Sequence, residues 1–88
     1  MGYTIKISKH VLKDFKKIKN HKLDAKVKKL IMILKDNPFQ TPPSYENLVG
    51  DLNGKYSRRI NRKHRLVYSI DENNKIVYIL SLWTHYED

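Results

Sequence analysis

Cysteine is absent from the sequence, which removes disulfides and thiolate metal sites and leaves the chain to fold by packing alone. No apolar run approaches the length needed to span a bilayer, and the opening MGYTIKISKH lacks the apolar stretch of a secretion signal. Met1-Gly2 is followed by Lys rather than Ser or Thr at position 6, so the myristoylation pattern fails as well. The expectation is a protein without membrane attachment, in a reducing cytoplasm of bacterial or other type. The four histidines, His10, His21, His64 and His85, lie too far apart for a recognised local metal spacing, so neither a metal nor another cofactor is expected. Acids are scarce at the front of the chain: residues 1–35 hold eleven Lys against Asp14 and Asp24, while residues 36–88 balance to zero. The whole excess of +9 therefore sits on the N-terminal segment. Such a surface favours polyanions, because each neutralised phosphate releases condensed counterions.

What is present fits one small domain. A chain of 88 residues buries about 60 to 65 per cent of its unfolded surface, enough for a single core. YTIKI (3–7) alternates as a strand does, and Ser8 offers a helix N-cap. Val11, Phe15 and Ile18 form one apolar stripe; after a break at Asn20-His21, Leu23, Val27, Leu30 and Leu34 form another, ended by Pro38. All three prolines and two of the three glycines fall in residues 37–54, which read as a long connection of the kind that often carries function. KYSRRI, HRLVYSI and KIVYILSLW then read as a meander of three strands. The expected fold is α+β in the order β-α-α-β-β-β, an antiparallel sheet with a helical hairpin on one face. In the last strand Ile76, Tyr78, Leu80 and Leu82 alternate with Val77, Ile79, Ser81 and Trp83, so both faces are largely apolar and the strand is expected inside the sheet.

Arg58, Arg59, Arg62 and Arg65 are all the arginines of a chain that otherwise uses Lys fourteen times. Lys suffices as a point charge on a solvated helix, whereas Arg is wanted where a planar fork must hold phosphate oxygens. A three-residue loop at 61–63 sets Arg59 opposite Arg65; a loop of two or four splits them, and the sequence leaves this open. His85 and Tyr86 add an imidazole and a phenol, and Glu46 adds a carboxylate in the Pro-rich connection. A base, an acid and guanidinium groups are what metal-free RNA cleavage by the 2′-OH requires.

Taken together, YSRRINRKHRLVYSI and the final His-Tyr resemble the YoeB/Txe branch of the RelE superfamily, toxins of type II toxin–antitoxin modules. The resemblance covers essentially the whole chain. It implies a microbial-RNase-like fold and a ribosome-dependent mRNA endoribonuclease that inhibits translation and is silenced by a YefM-type antitoxin. By position in the motif it makes Glu46 the general base, His85 the general acid, Arg65 with Arg59 the stabilisers of the transition state, and Tyr86 an orienting group. Lys13, Lys17, Lys26, Lys29 and Arg58 are then expected to contact RNA or the ribosome. Expected partners are the antitoxin, the ribosome and mRNA, with a homodimer left open. The sequence departs from the family pattern in two places. Val49 stands where the family often has Lys, and Glu87 and Asp88 follow a tyrosine that commonly ends the chain; two acids beside a phosphate site weaken RNA binding unless they point away. The rival reading is a non-catalytic basic RNA- or ribosome-binding module, which needs no carboxylate near the arginines.

Overall fold

The computed structural model describes residues 2–50 and 54–85, the last three of these by their backbone alone. The elements are β1 (Thr4–Ile7), α1 (Lys9–Asn20), α2 (Asp24–Asp36), β2 (Glu46–Asn47), β3 (Lys55–Arg59), β4 (His64–Asp71) and β5 (Ile76–His85). One five-stranded sheet runs in the order β1-β5-β4-β3-β2. Strands β2 to β5 pair antiparallel, as expected of a meander. The outer strand β1 instead runs parallel to β5, so the sheet is mixed rather than wholly antiparallel. The reason is the helical hairpin, which returns the chain to the sheet far from β1 and leaves that strand to be reached by β5.

Local chemistry sets the helix ends. Ser8 is extended at the N-cap of α1 and its Oγ accepts from the Val11 N–H at 3.4 Å. At the other end Lys22 lies in the left-handed region, with φ 60°. The Lys22 N–H donates to Lys19 O and the Leu23 N–H to Ile18 O, both at 3.0 Å, which together close a Schellman motif. Helix α2 begins at Asp24, an acid suited to a helix N-terminus, and stops at Asn37 before Pro38.

Both helices cover one face of the sheet. Val11 and Ile18 from α1 and Val27, Leu30 and Leu34 from α2 pack with Leu66, Tyr68, Val77, Ile79 and Leu82. Leu82 reaches this core through an irregularity. Tyr68 pairs with Ile79, Val67 with Ser81, and Arg65 with Thr84, so β5 carries two residues more than β4 over this stretch. The expected alternation therefore breaks, and Leu82 joins Val77 and Ile79 rather than Tyr78, which is exposed. The Leu82 N–H donates to Oδ2 of Asp14, a buried acid on α1, at 3.4 Å.

Candidate active site

The pleat of β3 divides its arginines. Residues two apart on a strand share a face, and residues directly opposed across an antiparallel pair do so too. Ser57 is opposed to Glu46, and Arg59 to Arg65. Glu46, Ser57, Arg59 and Arg65 therefore stand on the sheet face away from the helices, and with Pro43 and Ser44 they line one cleft of about 210 Å³. The loop at 61–63 has three residues, closed by the Ile60 N–H donating to His64 O at 2.9 Å, which puts Arg59 opposite Arg65. Asn61 braces it by accepting at Oδ1 from the N–H groups of Lys63 and His64, at 2.9 and 2.8 Å.

Glu46 and Arg59 are exposed and Arg65 is half-buried, so a carboxylate faces two guanidinium groups across a site open to solvent. A carboxylate can take a proton there, and paired guanidinium groups can hold the oxygens of a phosphate in fixed geometry.

Arg58 goes to the other face. Grouped by the sequence with the RNA-contacting cations, it is 1% exposed, so its guanidinium cannot serve as a surface contact in this structure. Its Nε donates to Tyr68 Oη at 3.2 Å, Nη2 to Pro38 O at 2.9 Å, and Nη1 to Pro43 O. Tyr68 Oη in turn donates to Pro38 O at 3.3 Å. The guanidinium also lies over the Tyr45 ring, 5.1 Å from its centroid, beside edge-on contacts among Phe39, Tyr45 and Tyr56. Arg58 thus ties both ends of the 38–43 segment to the sheet just ahead of Glu46. Burial pushes the Tyr68 phenol above its ordinary pKa, with Arg58 opposing that rise without cancelling it.

Lys13, Lys17, Lys26 and Lys29 are exposed on the helices. Lys26 and Lys29 border a second cleft of about 260 Å³, floored by Leu30, Ile33 and Pro43 and reached by Arg59 from the first cleft. The His85 backbone pairs with His64, one step beyond the pairing of Thr84 with Arg65. Its side chain, and Tyr86 altogether, lie outside the described residues, as do Glu87 and Asp88. Val49 is 81% exposed. Reasoning from sequence missed Ser57 and the structural part played by Arg58. The signal was strand alternation: in KYSRRI, Ser57 shares a parity with Arg59, whereas Arg58 shares one with Tyr56 and Ile60.

Among the described residues no helix is long and apolar enough to cross a membrane. A family model described as the YoeB-like toxin of bacterial type II toxin–antitoxin systems matches residues 7–86. Toxin YoeB of Synechocystis is 38% identical over 66 residues, which are 75% of this chain and 74% of that protein. In a YoeB–YefM complex from Staphylococcus aureus, one chain superposes with a TM-score of 0.78 at 34% identity, covering 98% of this chain and all of that one. A YoeB dimer from the same organism superposes with a TM-score of 0.80 at 31% identity and the same coverage.

Proposed function

The chain belongs to the YoeB-like toxins of bacterial type II toxin–antitoxin systems, and from that membership we propose that it is an endoribonuclease that cuts mRNA on the ribosome and so stops translation. The observation that carries this reading is the grouping of Glu46, Arg59 and Arg65 around one solvent-open cleft. A surface that only bound RNA would have no use for a carboxylate among its arginines, since it repels the phosphates they attract.

The chemistry follows from the residue types. Glu46 takes the proton of a ribose 2′-OH, and the freed oxygen attacks the adjacent phosphorus. Negative charge gathers on the non-bridging oxygens, where Arg65 and Arg59 stabilise it. The bond from phosphorus to the 5′-oxygen breaks, His85 supplies a proton to that oxygen, and a 2′,3′-cyclic phosphate is left upstream. Tyr86 orients the nucleotide. Exposed Lys13, Lys17, Lys26 and Lys29 hold ribosomal RNA by charge. The partners of this reading are the ribosome with its mRNA and a YefM-type antitoxin, by analogy with the S. aureus YoeB–YefM complex; the S. aureus YoeB dimer extends it to self-association. The site of action is the cytoplasm.

The test is primer extension on a translated mRNA after induction of the parent protein or of Glu46→Gln, and on the same RNA without ribosomes. Ribosome-dependent stops that vanish with Glu46→Gln are expected. Ribosome association without any stop would instead mean the protein acts as a binding module.

A further inference from the structure

We infer that Ser57 is a positioning residue that anchors the Glu46 carboxylate in its working orientation, an inference that rests on the cleavage reading above. Ser57 lies in the middle of β3, is 1% exposed, and lines the cleft together with Glu46, Arg59 and Arg65. Its Oγ is buried and has no hydrogen-bond partner among the described residues. A buried hydroxyl without a partner costs free energy, and Ala would fill the same place on the strand without that cost. Placed in the wall of a cleft, a hydroxyl of this kind is suited to a partner that arrives when the site is occupied.

The backbone selects that partner. Ser57 and Glu46 are directly opposed across β2 and β3. The Leu48 N–H donates to Lys55 O at 2.9 Å, and two residues further along an antiparallel ladder the same hydrogen-bonded type of pairing recurs, at Glu46 and Ser57. Their Cβ atoms are then neighbours on one face, about 5 Å apart. Glu46 is exposed, with a side chain long enough to fold back over the strand onto the Ser57 hydroxyl. A phosphate is the less suitable acceptor, because an anion entering the cleft from outside meets Arg59 and Arg65 first, whereas Glu46 stands directly opposite Ser57 on the neighbouring strand. In the occupied site Ser57 Oγ–H donates to one carboxylate oxygen, which fixes the other toward the 2′-OH. A glutamate at the two-residue strand β2, flanked by exposed Asn47, has few other restraints on its rotamer.

The experiment is single-turnover cleavage of ribosome-bound mRNA by the full chain, with ribosome affinity and thermal stability measured alongside. Ser57→Ala is expected to lower the cleavage rate about 10- to 100-fold, the usual loss when a reacting group is misplaced, with ribosome affinity unchanged and thermal stability equal to or above the parent's. In a Glu46→Gln background the same substitution should have no further effect, because it acts through Glu46. Ser57→Thr and Ser57→Val add the same bulk and differ only in the hydroxyl, so Thr should cleave faster than Val. A Ser57→Ala protein that cuts as fast as the parent overturns the inference alone, as does equal slowing with and without Glu46. A parent that shows no Glu46-dependent cleavage overturns the proposed function as well.

Discussion

Adjacent arginines on β3 have opposite fates, and their substitutions should separate accordingly. Arg58→Ala empties a buried site, removes the side-chain donor to the Pro43 carbonyl and leaves that of Pro38 with only the longer bond from Tyr68, so it should destabilise the fold by about 2–4 kcal/mol in denaturant unfolding. Arg59→Ala removes an exposed side chain and should stay within about 0.5 kcal/mol of the parent while losing cleavage. Glu46→Gln and His85→Ala should each slow single-turnover cleavage about 10²- to 10⁴-fold, the usual share of one proton-transfer group. Tyr68 gives a test by pH. Its folded pKa is raised, chiefly by burial, so its contribution to stability is complete below the ordinary phenol value of 10.0 and is lost as pH rises through the higher folded value. Tyr68→Phe should be less stable than the parent at neutral pH, since Arg58 Nε loses its acceptor, and the gap should narrow in alkali. At this scale the sequence reveals residue types but not positions: composition marks the arginine cluster, and only the pleat decides which guanidinium meets solvent.

The secondary-structure elements were the most readable level, because periodicity over a dozen residues averages out local exceptions. Both helical stripes, the Ser8 cap and the stop before Pro38 appear as expected. What escaped were features without a periodic signal. Strand β2 is two residues long and sits in a Pro-rich stretch, so nothing in its pattern distinguishes it from a loop. The extra residues of β5 leave the composition of the strand unchanged and only shift its pairing. At the end of α1 the left-handed position is filled by Lys22 rather than glycine, so the usual stop signal is missing although the motif forms. A side chain there is strained, and Lys22→Gly should raise stability by about 0.5–1 kcal/mol, measured as a higher thermal midpoint.

Across the whole molecule the two kinds of cation are separated by task. Lysines cover the helices, the arginines of the cleft stand on the opposite face of the sheet, and Arg59 borders both clefts. Replacing Lys13, Lys17, Lys26 and Lys29 together by Gln should therefore weaken ribosome association while leaving the single-turnover rate of bound complexes nearly intact. The slope of log affinity against log salt should flatten by about two to four units, since each lost phosphate contact removes about one. A slope that does not change would make the helical lysines a solvated face with no part in association.

The doubled excess of β5 over β4 also bears on which length changes the gene can tolerate. Each extra residue is a separate bulge, so loss of the single codon for Leu80 would close the first bulge: Ser81 would follow Ile79 and still face Val67, with everything downstream in phase. The Leu82 N–H would keep its place at Asp14, and the segment leading to His85 would keep its phase. Loss of the Val77 codon, in the regular ladder, would instead turn a neighbour of the opposite facing toward the core. Single in-frame deletions at Leu80 should therefore be recovered as folded protein more often than single deletions at Val77, and a deletion library sorted for soluble protein would read this out directly.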